Sequence, residues 1–126
     1  MTNEHLRSDA DLRTAVLGYY EAMDRDDIDA VLEFFSGDVL YRRPGYDRIS
    51  GMEALRQYYA SDRKIATGRH VLTSVLVDGQ RVAAHGIFDG DLRDGQPTSV
   101  GFAAFFLFDQ HGRAAEHTTY FFVPAV

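Results

Sequence analysis

The sequence predicts an α+β fold in which three N-terminal helices pack in the concave face of a curved, mainly antiparallel sheet. Two observations lead to this prediction. Apolar residues recur at helical spacing in the first half of the chain, and segments of strand composition follow one another in the second half. Turn dipeptides separate those later segments, which is typical of an antiparallel meander. We expect one domain over residues 1–126.

The first two helices are predicted from caps and apolar spacing. Ser8 or Asp9 can cap the first helix. Its apolar positions lie on one face and are Leu12, Val16, Tyr19, Tyr20 and Met23. Asp27 offers a cap for a short second helix, which we expect Gly37 to end. The acids of this region are interpreted as capping and solvated residues: Asp24, Asp26, Asp27 and Asp29.

The third helix and the strands follow in chain order. A short strand over residues 39–43 precedes a turn at Pro44-Gly45, and Ser50 to Glu53 fits a capping box that begins the third helix. That helix is expected to fray between residues 62 and 68. Residues 70–77 and 81–92 then form a hairpin around Asp78-Gly79, and Asp94-Gly95 turns into the last hairpin.

The last hairpin, residues 97–123, organises the fold, with its turn at Gln110-His111-Gly112. In its first strand, both alternating sets of residues between Val100 and Phe108 lack charge. A strand that is apolar on both faces is covered on both faces. Helices can cover one face in a chain of this length, so we expect a second copy of the chain to cover the other. The prediction is a homodimer formed through the sheet.

Composition restricts the partners and the chemistry. The net charge of −6 argues against nucleic acid or an anionic membrane as a partner. The chain has no cysteine, which excludes disulfides and thiol nucleophiles and fits the reducing cytoplasm. The charged residues 1–13 do not resemble a signal peptide, and no apolar run has the length of a membrane span. The adjacent basic pairs Arg42-Arg43 and Arg63-Lys64 are flanked by acids.

Several segments carry a resemblance to a known family: YYEAMDRDDIDAVLEFFSGDV (residues 19–39), ISGMEALRQYY (residues 49–59), DGQP, FFLFDQHGR and TTYFF. With them the chain resembles the nuclear transport factor 2-like (NTF2-like) superfamily over nearly its whole length. This superfamily includes ketosteroid isomerase, scytalone dehydratase, limonene epoxide hydrolase and the SnoaL-type polyketide cyclases. The resemblance implies a cone whose hollow interior holds a small hydrophobic ligand, and commonly a dimer through the sheet.

Alignment with ketosteroid isomerase places Tyr19 on the tyrosine of that enzyme's oxyanion hole. Arg43 and Ala104 stand where the isomerase has its two catalytic aspartates, so steroid isomerisation by that mechanism is not expected. Thr119 similarly occupies the place of a last-strand carboxylate that limonene epoxide hydrolase needs. The resemblance therefore implies the fold more strongly than the reaction.

Three residues are predicted to be catalytic. Tyr19 would donate a hydrogen bond to a developing oxyanion, His117 would transfer a proton, and Arg43 would hold the anionic end of a substrate. The alternatives are a structural histidine bonded to a Thr or Tyr, and an arginine in a surface or intersubunit ion pair. The position of His117 depends on strand register, which places it opposite either Ala104 or Phe105.

His70 and His85 are further candidates for an acid/base set, similar in residue type to that of scytalone dehydratase, although each alone fits a structural or exposed role better. Other side chains are expected to form the wall of the substrate site: Tyr41, Tyr59, Phe88, Phe102, Ala104, Phe106 and Phe121. Neither His-x-His spacing nor a glycine-rich phosphate loop is present, so we expect no metal and no cofactor.

These observations favour a cofactor-independent enzyme that isomerises, cyclises or dehydrates a hydrophobic metabolite, which would be anionic where Arg43 binds it. One alternative is a module of the same fold that binds a small molecule or a protein without turnover. Another is a structural dimer whose interior is filled by its own side chains.

Overall fold

The computed structural model describes residues 8–63 and 65–123. Residues 1–7, which include His5, residue 64 and residues 124–126 lie outside the described residues. The helices are α1 (Asp9–Asp24), α2 (Ile28–Glu33) and α3 (Met52–Gln57), the last extended by a π-helical turn over Tyr58–Asp62. The strands are β1 (Phe35–Arg42), β2 (Ile49–Ser50), β3 (Ile65–Asp78), β4 (Arg81–Leu92), β5 (Pro97–Phe108) and β6 (Ala114–Phe121).

The strands form one six-stranded sheet in the order β2-β1-β6-β5-β4-β3. Among the strand pairs that the structure describes, only β1–β6 is parallel, so the expected α+β fold with a mainly antiparallel sheet is confirmed. The β3–β4 ladder shifts register between Leu72 and Ser74, and a Cβ atom at Gly86 would collide with the backbone of β3. Such a close approach beside a bulge is typical of a bent strand pair.

The caps of the first two helices agree with the sequence. Ser8 caps α1 in a capping box with Asp11, and the Asp27 carboxylate accepts a hydrogen bond from the Ala30 N–H at 3.1 Å. The expectation that Gly37 ends the second helix is wrong, because α2 ends at Glu33 and Gly37 lies within β1. The physical reason is the fully buried Phe35, which starts β1 beside β6 before the glycine is reached.

The capping box predicted for the third helix is also wrong. Ser50 pairs with Leu40 in the sheet, and Gly51 occupies the cap position with no side-chain hydrogen bond. Gly51 has φ 87°, a left-handed conformation that favours glycine, and its N–H donates to the Val39 carbonyl at 2.7 Å. Backbone pairing with β1 therefore replaces the local cap.

The turns at Asp78-Gly79 and Asp94-Gly95 and the last hairpin are confirmed. The register of the last hairpin, β5–β6, is neither of the two that we expected, because His117 lies opposite Phe106. The cause is a longer connection between the strands. The Asp109 carboxylate accepts hydrogen bonds from the N–H groups of His111 and Arg113, and a register shift follows between Leu107 and Phe108.

The two faces of β5 differ as alternation predicts. The set from Val100 to Phe108 that includes Phe102 and Phe106 is buried against the helices, whereas Phe105 on the other face is 50% exposed. That outer face of the sheet carries further exposed apolar side chains: Val71, Leu76, Ile87, Tyr120 and Phe122. The second subunit over this face stays a prediction. Within the described part of the chain, no helix is long and apolar enough to cross a membrane.

Candidate active site

A buried polar cluster lies on the inner face of the sheet, where α1 and the π-helical turn cross β1, β5 and β6. The three predicted catalytic side chains, Tyr19, Arg43 and His117, line one cavity there. Other predicted site residues in the same wall are Tyr41, His70, Phe88, Phe102 and Phe121. Residues that are far apart in sequence therefore meet at one place.

His117 is held between two rings. Its imidazole stacks on Phe106 at 4.3 Å between ring centroids and on Tyr41 at 4.6 Å. Its Nδ1 lies 3.3 Å from the Phe105 carbonyl, and a carbonyl only accepts, so the hydrogen-bond network assigns the proton to Nδ1. Nε2 is then an acceptor, 3.4 Å from the Tyr19 hydroxyl and 3.3 Å from Thr119 Oγ1.

The environment of His117 keeps it neutral at pH 7. Burial lowers its pKa to about 3, the hydrogen bond to Phe105 opposes that change in part, and the Arg43 charge lowers the pKa further. An imidazole with this pKa accepts a proton weakly near neutral pH. His117 is thus better suited to accept a hydrogen bond from Tyr19 or Thr119 than to serve as a base.

Tyr19 and Tyr59 form a pair of phenols with 2.7 Å between their oxygens. Burial raises the pKa of both groups, so both stay protonated at pH 7. If Tyr59 donates to Tyr19, the proton of Tyr19 is available for His117 or for a ligand in the cavity. The pair can therefore supply a directed hydrogen-bond donor.

Arg43 lies in an aromatic box. Its Nη1 donates to the Tyr41 hydroxyl at 2.7 Å, and its guanidinium carbon lies 5.1 Å from the ring centroid of Phe121 and 5.5 Å from that of Tyr58. Burial acts to lower the pKa of Arg43, but the neighbouring phenols, Tyr41 first, raise it above its usual value. The site therefore contains a permanent positive charge.

Asp24 and His70 form a second polar group, of which sequence reasoning named His70 and missed Asp24. His70 Nδ1 lies 2.6 Å from Asp24 Oδ1, and the His70 backbone N–H donates to both carboxylate oxygens at 3.0–3.1 Å. Asp24 therefore holds a histidine and is not simply a solvated residue as expected. Its position one helical turn after the buried Tyr20 was the available signal.

The carboxylate determines how His70 presents its ring. Because a carboxylate accepts, Nδ1 carries a proton and Nε2 is the acceptor atom of the neutral imidazole. Burial lowers the pKa of His70, while the Asp24 hydrogen bond and charge oppose that change. The ring packs between Tyr20 and Phe88, with centroids 4.9 and 4.7 Å away.

Arg63 is the second residue that was missed as part of the site. The sequence marked it only as half of a basic pair, yet it is 6% exposed and lines the same cavity. Its guanidinium carbon lies 5.9 Å from the Tyr59 ring centroid. Within residues 8–63 and 65–123, its Nε has no hydrogen-bond partner and its side chain forms no ion pair.

His85 lies outside the cluster, so its expected place in the site wall is wrong. It is exposed on the outer face of β4, with its ring 6.4 Å from that of Phe122. The reason is strand parity, because the buried residues Ala84 and Phe88 point inward from the same strand. Tyr59, Ala104 and Phe106 are buried on the inner side but stand behind the cavity wall.

The cavity is small. Its volume is about 20 Å³, which is room for roughly one water molecule. Ligand sites usually have about 300–1,000 Å³. Side chains of the protein thus fill most of the interior, and a substrate can enter only if some of them move. Among the residues that the structure describes, no group of three His, Asp or Glu side chains could hold a metal ion.

Solved structures share this architecture at low identity. An NTF2-like protein of unknown function from Burkholderia pseudomallei K96243 has a TM-score of 0.76 and 21% identity, covering 96% of this chain and 92% of that one. An LEH-like epoxide hydrolase of M. tuberculosis has a TM-score of 0.77 and 19% identity, covering 89% and 83%. A ketosteroid isomerase-like protein from Erwinia carotovora atroseptica SCRI1043 has a TM-score of 0.72 and 22% identity, covering 98% and 100%.

These similarities define the class of the fold, which is NTF2-like, and at such identities they show the fold alone. The family is more specific. The SnoaL-like domain profile matches residues 16–117, and the chain therefore belongs to the SnoaL-like domain family. No curated protein matches this sequence significantly. The matched range contains most of the cluster, from Tyr19 on α1 to His117 on β6.

Proposed function

We propose that this protein is a cofactor-independent enzyme that transfers a proton within a small hydrophobic molecule, in an isomerase, cyclase or dehydratase type of reaction. The observation that carries the proposal is the convergence of a paired phenol, Tyr19, and a carboxylate-held imidazole, His70, on one buried cavity. A hydrogen-bond donor beside a proton acceptor is what enolisation of a carbonyl compound requires.

The proton acceptor in this proposal is His70. Its Nε2 would take a proton from carbon, and the imidazolium that forms would be stabilised by the Asp24 carboxylate at 2.6 Å. This assignment moves proton transfer away from His117, whose pKa of about 3 makes it a weak base at neutral pH. His117 Nε2 instead accepts a hydrogen bond from Thr119 Oγ1, which leaves the Tyr19 proton for the substrate oxygen.

The oxyanion would be stabilised by Tyr19. Its hydroxyl, ordered by Tyr59 at 2.7 Å, would donate to the enolate oxygen, and the Arg43 charge on the same cavity would add a favourable field. Removal of one such donor typically lowers the rate about 10²- to 10³-fold. The aromatic wall favours a flat, apolar substrate.

The assembly and location remain proposals as well. A second copy of the chain would cover the outer face around Phe105, Tyr120 and Ile87, each about half exposed in one chain. Sedimentation velocity of the wild type and of Phe105→Glu tests this. We expect a dimer that the charged variant dissociates, and a wild-type monomer would contradict it. The absence of cysteine supports a cytoplasmic location.

Proton exchange with solvent tests the proposed chemistry. Cyclic and aromatic ketones with an enolisable C–H are incubated in D₂O, and deuterium incorporation is followed by NMR. We expect the wild type to accelerate exchange, and Tyr19→Phe and His70→Gln to lose at least about 100-fold. His85→Gln is the matched control, because that histidine lies on the outer face. Full activity of both site variants would show that the assignment is wrong.

The volume of about 20 Å³ supports a second candidate, a module that binds a partner or a ligand without turnover. An interior filled by its own side chains needs no substrate to be stable. Recovery of a bound ligand unchanged after long incubation with the wild type would favour this candidate over the enzyme.

A further inference from the structure

Arg63 is buried and forms no ion pair with any residue that the structure describes. It lies where the π-helical turn ends, just before β3, and only 6% of it is exposed. The nearby acids are engaged elsewhere: the Asp62 carboxylate accepts from Gln57 at 3.3 Å, and the Asp94 carboxylate accepts the Gln96 N–H at 3.0 Å. A buried charge without a partner is unfavourable, because its desolvation is not offset by an opposite charge.

The position of Arg63 separates the interior from the outside. It lines the buried cavity of about 20 Å³, and it also lines an outer depression of about 300 Å³. The other residues of that depression are Ser61, Asp62, Leu92, Arg93 and Asp94. Of the described residues, Arg63 alone is common to both linings, so moving this side chain would connect the buried cavity to solvent.

Tyr19 also lines two spaces: the buried cavity and, on another side, a groove of about 490 Å³ beside Gly18. It is a poor gate. Its hydroxyl is bonded to Tyr59 at 2.7 Å, and its ring packs on Phe34 at 4.6 Å and against Tyr20 at 4.8 Å. The Arg63 guanidinium contacts one ring face and leaves its Nε unpaired. Opening at Arg63 therefore breaks fewer interactions than opening at Tyr19.

Charge indicates what would enter. Two guanidinium groups, Arg43 and Arg63, line the cavity, whereas its described lining contains no carboxylate and Asp24 is bonded to His70. The interior therefore favours an anion. The planar fork of a guanidinium matches a carboxylate through two parallel hydrogen bonds, and a flat carboxylate also fits between aromatic rings.

We propose that Arg63 is the substrate-binding gate of the site: a flat, unsaturated monocarboxylate displaces its guanidinium from the Tyr59 ring, enters beside it, and is then paired with it through the carboxylate. This deepens the proposed function, since it takes the same cavity for the site. It assigns to Arg63 the selection of anionic over neutral ligands, in addition to the role of Arg43.

Calorimetric titration at pH 7 tests this with benzoate and benzamide, which share their shape and differ in charge. For the wild type we expect benzoate to bind at least about tenfold more tightly than benzamide. Arg63→Gln should remove most of that difference, the Arg43 charge keeping the remainder, and Arg63→Lys should retain more of it. Arg69→Gln is the charge-matched control, because Arg69 is exposed on β3, the strand that follows Arg63, and should keep the wild-type preference.

Three results would overturn the proposal: equal affinity for benzoate and benzamide in the wild type, an undiminished preference in Arg63→Gln, or inorganic phosphate binding as tightly as benzoate. Thermal unfolding without ligand separates binding from a structural role. Loss of an unpaired buried charge should leave Tm unchanged or higher in Arg63→Gln, whereas a structural residue would lower it.

Failure of this inference is distinguishable from failure of the proposed enzyme. Tyr19→Phe should keep the benzoate preference while it loses proton exchange. A wild type that prefers benzoate but exchanges no proton would support the gate and exclude the catalytic proposal. A wild type that exchanges protons with neutral ketones but shows no preference for benzoate would support the catalytic proposal and exclude the gate.

Discussion

His70 and His117 point into the same interior but differ in what holds them. His117 bonds a backbone carbonyl and lies between two rings, and burial lowers its pKa to about 3. His70 bonds the Asp24 carboxylate at 2.6 Å, and that negative charge opposes the effect of burial on its pKa. The comparison teaches that the partner of Nδ1 decides whether a negative charge opposes the lowering of a histidine pKa by burial.

The largest expected effect comes from removing the carboxylate that distinguishes the two histidines. Asp24→Asn should lower proton-exchange activity at least about 100-fold, since the imidazolium of His70 loses its counter-charge. Asp29→Asn is the control, because Asp29 is an exposed acid on the next helix. The rate constants are measured by NMR in D₂O. Equal rates for wild type and Asp24→Asn would remove the functional difference between the two histidines.

His117 should be visible in the pH dependence of stability. Its folded pKa of about 3 is below the ordinary value of about 6.5, so between these limits the unfolded chain binds more protons. The free energy of unfolding should therefore fall as pH drops from about 6.5 towards 3, by up to about 1.4 kcal/mol per pH unit.

His117→Phe tests this by keeping a ring between Tyr41 and Phe106 while removing the titrating group. Urea unfolding at several pH values should show a shallower acid slope for the variant than for the wild type. His85→Phe, on the exposed face, should keep the wild-type slope. Identical slopes for wild type and His117→Phe would contradict the assigned pKa.

A smaller effect is expected at the phenol pair. Tyr59→Phe removes the hydrogen bond of 2.7 Å to Tyr19 and leaves His70 with its carboxylate. A net hydrogen bond contributes about 1 kcal/mol, so exchange should slow about fivefold. A loss as large as that of Asp24→Asn would place Tyr59 in direct contact with the substrate.

The smallest expected effect concerns Arg43, whose charge acts on the pKa of both histidines. The Arg43 charge is a minor cause that lowers the pKa of His70 and of His117. Arg43→Gln should therefore raise both pKa values, whereas Arg42→Gln should leave them unchanged, because Arg42 is half exposed and lies 3.7 Å from Glu116. NMR titration of the imidazole protons measures this, and equal shifts in both variants would be the contrary result.

Much of the fold could be predicted because its signals are local. Ser8 caps α1 through its own side chain, and the glycines at positions 79 and 95 have positive φ in the turns that the sequence marked. Alternation along β5 correctly predicted that Phe106 and Phe105 lie on opposite faces, and helical spacing correctly predicted that Tyr19 is buried. These features depend on backbone geometry within a few residues.

Other features depend on partners that are distant in the chain. Ser50 matches a capping pattern, yet it pairs with Leu40, and the loop at Asp109 moved His117 opposite Phe106. Strand register is decided by the whole sheet, so one extra residue in a connection changes every later pairing.

The sequence by itself determined the fold family, the inward face of α1 and the aromatic character of the interior. Only the tertiary structure decided that Asp24 holds His70 across 46 positions of sequence, and that Arg63 is buried at the boundary of the cavity. The physical reason is that hydrogen bonding and desolvation depend on what surrounds a side chain in space. A local sequence pattern does not show whether a single acid or arginine will have a hydrogen-bond or ion-pair partner in the fold.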